Sequence, residues 1–364
     1  MKFSTIKHCL ACFSKPRIFN VDINNKDMKI FQIEQKKNRH KVIGWAKKKF
    51  PRGVIDDFEV KDKDKFVEVL GEALASNTAR KIKGSVVALS IPENKVFLRI
   101  LDIPVMTEKE AAEAIKWEVE GNIPISIDEV YYDWQIVKKE GKKMKVLIAA
   151  SPRRIIDSLI EAFEHADLRV CILEADSIAV ERSLLPQNEN DPILVVDIGI
   201  EGTGYFVFYN GYPVFSSSGY ISGQMFTDAV AKYYEIEWDK AEHYKTKVGL
   251  GSNRKEREEA LCFYSPLLTT LIQEIEKTIN FYNENLSGNS KKEVRKVILC
   301  GGGSNFKGLL PYLAIHLKRQ VAQGNPWENI KLAKEIPPIS KEEAQSYITV
   351  IGLALKSSNY GNQY

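Results

Sequence analysis

Apolar and polar positions alternate along RIFNVDINNKDMKIFQIE (17–34) on both sides of a polar Asn24-Asn25-Lys26-Asp27 turn, which predicts a hairpin of two strands. The period lengthens over 63–75, where Phe66, Val69, Leu70, Ala73 and Leu74 fall at helical spacing. VVALSI (86–91) and KVFLRIL (95–101), separated by Pro92-Glu93-Asn94, read as a second hairpin. Thr107 with Glu110 forms a capping box before a helix striped by Ala112, Ile115 and Val119 and ended by Gly121. Strands at 130–137 and 144–150 follow, so that strand, strand, helix, strand, strand describes a small α+β module. A helix over 153–166, a strand at 169–173 and a helix over 176–185 lead out of it. The second half restarts with strands at 194–198, 205–209 and 213–217 split by glycine turns, a repeat of the opening pattern that predicts two duplicated lobes. Helices are expected over 223–234, 239–248 and 265–284, then a strand at 297–300, a GGGS loop and a helix over 306–316.

At 364 residues the chain exceeds one usual domain, and its 44% hydrophobic and 27% charged residues are those of a globular protein. With 52 basic against 48 acidic side chains, charge gives no ground for a nucleic-acid partner. The runs KKNRHK (36–41) and KKK (47–49) read as solvated loop faces. Five cysteines are an odd, sparse set that fits reduced thiols, and the Cys9/Cys12 pair lacks the second pair that a zinc site needs. No apolar run reaches the roughly 20 residues that span a bilayer, and the start lacks a signal core, so a cytoplasmic location is expected.

A nucleoside triphosphate site needs backbone N–H groups turned to phosphate, which glycine turns and helix N-termini supply, and carboxylates for a hydrated metal ion. VVDIGIEGTGY places Asp197 at the end of a strand with Gly199, Thr203 and Gly204 beyond it, a pattern that an ordinary tight hairpin also satisfies. LCGGGSNFKGL places Gly301, Gly302, Gly303 and Ser304 between strand and helix, where missing side chains let a ligand approach the backbone. In AEHYK, Glu242 and Lys245 stand three apart on one helix face, which alone reads as a surface ion pair.

The order of these pieces resembles the superfamily of actin, the heat-shock chaperone ATPases and sugar kinases. Within it, VVALSIPENKVFLRILDIP, IKWEVEGNIPISIDEVYYDW, AEHYK, VILCGGGSNFKGLLPYL and GNPWENI are most similar to the PilM family of type IV pilus assembly proteins. The resemblance implies an α/β, two-lobed actin-like ATPase fold with ribonuclease H-like lobes and an inserted small α+β module in the first lobe. The expected division is a flexible leader at 1–15, a first lobe at 16–85 and 165–189, and a partner-binding module at 86–164. A second lobe follows at 190–345, with a helical subdomain at 235–290, and a C-terminal helix and tail at 346–364.

The resemblance further implies ATP and Mg2+ as cofactors. Asp22 and Asp197 would sit near the metal and phosphates, and Gly199, Thr203, Gly204 and Gly223 at the second phosphate turn. Glu242 and Lys245 would face ribose and adenine, and Gly301 to Ser304 would lie under the nucleoside. Two departures stand out: Asn24 and Asn25 where the family has a glycine and a small hydroxyl residue, and Ser222-Gly223 in place of paired glycines. Hydrolysis is therefore expected to be weak or lost. The implied role is a scaffold at the inner face of the inner membrane, binding the N-terminal cytoplasmic tail of a PilN-like membrane protein and the pilus motor ATPases. The alternatives are a kinase-like phosphotransferase, for which no residue stands out as the base and Glu174 or Asp176 could as easily cap a helix, and an FtsA-like division protein. The polar ending KSSNYGNQY speaks against the membrane helix of the latter.

Overall fold

The computed structural model describes residues 17–36, 39–76, 81–123, 125–186, 189–287, 292–332 and 339–360. The leader with Cys9 and Cys12 lies outside them. The chain divides into two compact units, one drawn from Met1–Arg182, Ile330–Pro337 and Thr349–Tyr364, the other from Ser183–Asn329 and Pro338–Ile348.

In the first unit, β1 (Ile18–Ile23), β2 (Asp27–Lys36) and β3 (Arg39–Lys49) form an antiparallel meander. A small hairpin, β4 (Ile55–Asp56) and β5 (Glu59–Val60), leads to α1 (Lys63–Ala75), whose first turn is capped by Asp62 accepting from the Lys65 amide at 2.9 Å. The chain then returns as β6 (Val86–Ile91), parallel to β1. The hairpin expected over 86–101 is not formed: β6 enters the first sheet, and its neighbour β7 (Phe97–Pro104) turns to a different sheet. Parallel pairing is the reason, since β6 is buried at every position, as a strand covered on both faces is.

Here β7 joins β8 (Val130–Glu140) and β9 (Lys143–Pro152) in a three-stranded antiparallel sheet of order β7-β9-β8. Across its face lies α2 (Glu108–Asn122), whose Thr107–Glu110 capping box forms as expected. Ala111, Ile115 and Val119 of the helix meet Met144, Val146 and Ile148 of the sheet in a separate small core. The next helix, α3 (Arg153–Glu164), belongs to the larger core, where Phe163 meets Phe66 edge to face at 5.2 Å. Finally β10 (Arg169–Ala175) completes the order β10-β6-β1-β2-β3, and α4 (Asp176–Leu184) packs on the other side of the sheet through Ala179.

The second unit repeats this layout. A meander of β11 (Ile193–Ile198), β12 (Thr203–Tyr209) and β13 (Tyr212–Gly219) is followed by α5 (Gly223–Tyr234), α6 (Trp238–Lys247) and the long α7 (Arg254–Phe281). Then β14 (Lys296–Cys300) pairs parallel to β11; α8 (Leu309–Leu317) and β15 (Gln320–Gln323) follow, giving the order β13-β12-β11-β14-β15. Two helices close the chain: α9 (Lys341–Gln345), and α10 (Ile348–Tyr360), which returns to the first unit and places Leu353 beside Ala179.

The run Lys47 to Lys49 does not sit in a loop, whereas residues 37 and 38 of the other run lie outside the described residues. Lys47 to Lys49 lie in β3, where Lys47 pairs with Asp27 at 3.4 Å and Lys48 with Glu72 at 3.3 Å. The buried residues Gly44, Trp45 and Ala46 give this strand its core contact despite its basic flanks.

Candidate functional site

Both sheets open with a strand ending in Val-Asp-Ile, and the aspartates occupy equivalent places: Asp22 stands opposite Lys29, Asp197 opposite Gly204. That single difference divides the two turns chemically.

In the second unit the aspartate is surrounded by bare backbone. The Gly199 amide donates to the Gly202 carbonyl at 2.8 Å, closing the β11–β12 turn, and the Gly223 amide donates to the Gly199 carbonyl at 2.8 Å. A Cβ on Gly223 would lie 3.2 Å from the Gly199 oxygen and 3.5 Å from the Gly303 Cα, so three separate turns touch through main chain. At Gly301 the backbone has φ of +77°, and a side chain there would reach Asp197 Oδ1 at 2.2 Å. A Cβ on Gly303 would meet Ile198 Cγ2 at 2.3 Å, and one on Gly204 would meet the Phe206 ring at 2.4 Å. Gly302 continues the loop beside Ser346.

Hydroxyl groups hold this arrangement from below. Thr203 Oγ1 donates to the Ile221 carbonyl at 2.6 Å, and Ser304 Oγ donates to the Gly301 carbonyl and accepts from Gln323, each at 2.7 Å. Ser222 caps α5, its Oγ accepting from the Met225 amide at 3.3 Å. The first three amides of α5 are thereby answered within the unit, Gly223 by the Gly199 carbonyl, Gln224 by the Ile200 carbonyl and Met225 by Ser222 Oγ.

Glu242 and Lys245 are not a surface pair. Lys245 is 5% exposed, and its ammonium donates to the Gly223 carbonyl at 3.0 Å, Thr227 Oγ1 at 2.8 Å and Glu242 Oε2 at 2.6 Å. The lysine thus fastens α6 to the first turn of α5, while Glu242, 36% exposed at its side chain, also accepts from Thr227 at 2.5 Å. Thr227 is a member of this cluster that sequence reading missed; its place one turn beyond Gly223 was the available signal.

The first unit's turn is filled by its own side chains. Asp22 Oδ2 meets the Lys29 ammonium at 3.0 Å and Oδ1 accepts from Ser90 Oγ at 2.8 Å. Asn24 Oδ1 accepts the amides of Lys26 and Asp27, both at 2.8 Å, and the Asn24 amide donates to the Asp27 carbonyl at 3.0 Å. Asn25 Oδ1 accepts the Phe58 amide at 2.9 Å, bracing a turn in which Asp57 and Phe58 both have positive φ. Burial works against the charge of Asp27, yet Lys29, Lys47 and the Asn24 amide together hold its carboxyl below the usual carboxylate range. Burial likewise opposes the Lys29 charge, and Asp22 and Asp27 more than reverse it, keeping the ammonium protonated. Both Asp22 oxygens are therefore engaged, and the residues present do not fit a metal ion at this turn.

Glu174 is equally unsuited to take a proton from a substrate. Its side chain is fully buried, Arg182 grips it at 2.7 and 3.0 Å, and Lys356 reaches it at 2.5 Å. Burial raises its pKa, but the two cations prevail and bring it to about 2. Asp176 opens α4 in its first turn. Among the described residues no three His, Cys, Asp or Glu side chains gather as a metal site, and no helix is long and apolar enough to cross a membrane.

The whole architecture has known counterparts. A solved PilM–PilN type IV pilus biogenesis complex superposes with a TM-score of 0.79 at 23% identity, covering 94% of this chain and 99% of that one. The ethanolamine utilization protein EutJ from Carboxydothermus hydrogenoformans gives 0.54 at 16% identity over 93% and 88% of the two chains. MreB5 of Spiroplasma citri bound to AMPPNP gives 0.51 at 13% identity over 95% and 98%. At these identities the likeness establishes the fold, the α/β actin-like ATPase fold. The PilM family, described as type IV pilus assembly protein PilM, matches residues 20–358, nearly the whole of the sequence that carries both sheets and the glycine turns. This chain belongs to the PilM family of type IV pilus assembly proteins.

Proposed function

We propose that this chain is a nucleotide-binding scaffold of type IV pilus assembly that does not turn ATP over at an appreciable rate. The observation that carries the nucleotide reading is the meeting of Gly199, Gly223 and Gly303 within the second unit, where a Cβ at any of them would fall about 3.2 Å or less from other backbone or a core side chain. Such bare backbone beside a helix N-terminus is what a nucleoside phosphate requires. AMPPNP bound to MreB5, which shares the fold, supports ATP as the ligand. Lys245 and Thr227 act as positioning residues that hold the α5 N-terminus in place.

The scaffold's partner is the N-terminal cytoplasmic tail of a PilN-like inner-membrane protein, a reading supported by family membership and by the fold shared with the PilM–PilN complex. A tail held in extended form gains main-chain hydrogen bonds and side-chain pockets. The pilus motor ATPases are the second class of partner, and both would station the chain at the inner face of the inner membrane. A phosphotransferase would need a base, and Glu174, already ionised and wrapped by two cations, does not supply one.

Thermal unfolding with and without ATP, with phosphate release followed in parallel, tests the nucleotide half of this reading. A ligand that binds only the folded state raises the melting temperature. An upward shift without phosphate release is expected; no shift at millimolar ATP would sink it.

A further inference from the structure

We propose that the outer face of α2 docks a basic segment of a partner protein, taking an arginine side chain against the ring of Trp117 between the carboxylates of Glu113 and Glu120. This surface lies in the first unit and is independent of the nucleotide reading above. Trp117 is 73% exposed, the highest value of any large apolar side chain among the described residues. The other tryptophans are covered: Trp45 is 5% exposed, Trp134 packs against the small core beneath α2, Trp238 donates to Asp228 at 3.1 Å, and Trp327 is half-buried. That small core does not use Trp117. It takes Ala111, Ile115 and Val119 from one face of α2, and position 117, two residues from both Ile115 and Val119, falls on the opposite face.

The neighbouring residues give this face its chemistry. Glu113 lies one turn before the tryptophan and Glu120 one turn after it, both exposed. Glu110, the next carboxylate along the stripe, is spent on the Thr107 amide and hydroxyl. Lys109 and Lys116 share the helix, yet among the described residues neither Glu113 nor Glu120 is held in an ion pair. One turn beyond Trp117, Gly121 leaves open space, with nothing within 4 Å of where a Cβ would stand. With five glutamates against two lysines, α2 is acidic in a chain whose net charge is +4. A guanidinium suits both neighbours, because it stacks on the face of a tryptophan and forks onto carboxylates, which a compact and strongly hydrated ammonium does less well. Tryptophan and arginine are also residues on which protein interfaces concentrate their affinity. The capping box holds the start of α2 and its inner face is locked in the core, so little order is lost on docking. The carboxylates repel an anionic membrane or a nucleic acid, which leaves a basic protein segment as the occupant.

The test is nuclear magnetic resonance of the full chain, labelled at its tryptophans and titrated with hexa-arginine amide and with hexa-lysine amide. The indole signal that Trp117→Phe removes is expected to move with hexa-arginine, at an affinity about threefold or more above that for hexa-lysine. Isothermal titration of Trp117→Ala and of Glu113→Gln/Glu120→Gln, each with an unchanged melting temperature, is expected to show hexa-arginine binding weakened by about tenfold. A Trp117 signal that stays still, equal affinity for the two peptides, or binding that Trp117→Ala leaves intact overturns the proposal. So does a wild-type dimer in sedimentation velocity that Trp117→Ala disperses, which would give the face to a second copy of this chain. Trp117-dependent binding to phosphatidylglycerol vesicles would give it to a membrane and overturns the proposal equally.

Discussion

Lys245 and Gly223 are joined by a hydrogen bond of 3.0 Å from the lysine ammonium to the glycine carbonyl, which fixes the start of α5 to the last turn of α6. Replacing the lysine by methionine keeps most of the apolar stem but removes the ammonium from the Gly223 carbonyl, Thr227 and Glu242. A loss of about 2–4 kcal/mol in urea unfolding is expected, because a buried partner is removed from one side only. Nucleotide affinity should fall by about tenfold through the displaced helix start; unchanged affinity would show that Lys245 has no positioning role.

Gly303 and Gly301 give a sharper test of the same turns. Gly303→Ala would place a methyl group 2.3 Å from Ile198 Cγ2, and Gly301→Ala would force a residue with φ of +77° against Asp197. Each is expected to destabilise by roughly 1–3 kcal/mol and to weaken ATP binding, unlike the control Gly71→Ala on α1, where nothing lies within 4 Å.

In the first unit α10 crosses α4 at Gly352, where a Cβ would lie 1.8 Å from the Ala179 carbonyl oxygen. Gly352→Ala must push the helices apart, break the Arg182 hydrogen bond to the Gly352 carbonyl at 3.0 Å, and so cost about 3 kcal/mol or more. Chemical denaturation measures this directly.

Buried Glu174 and half-buried Glu181 of the same region predict a stability maximum in mildly acid solution. Glu174 is held at about 2, below its ordinary 4.5, so its contribution is full above 4.5 and is lost as pH falls toward 2, on the order of 3 kcal/mol. Glu181 is pushed the other way, to about 7, chiefly by burial and further by Glu174 against the pull of Arg182. Its contribution is full below 4.5 and lost as pH rises through 7. Thermal unfolding across pH 3 to 8 should therefore peak near about pH 5, and Glu181→Gln should flatten only the decline on the alkaline side.

Much of this was legible in the sequence. The first Val-Asp-Ile hairpin showed through alternation and the second through its glycine turns, the Thr107 capping box through its spacing, and the glycine loop after β14 through its composition. What was hidden depended on partners far along the chain. The parallel strand β6 looked like half of a local hairpin, because periodicity does not reveal which strand a run pairs with. Strand β3 was masked by Lys47 to Lys49, whose charges are answered by Asp27 and Glu72. Glu242 and Lys245 carried the i, i+3 spacing of a surface pair, and only the packing of α6 on α5 buries the lysine. Lys29 was hidden in plain view: in a hairpin closed by a three-residue turn it falls opposite Asp22.

The proposed scaffold captures a membrane protein's tail. Isothermal titration with a synthetic peptide of a PilN-like N-terminal tail, with and without ATP, tests it most directly. Saturable binding at one peptide per chain is expected. Absence of binding at low and high salt, in both the presence and the absence of nucleotide, would contradict it.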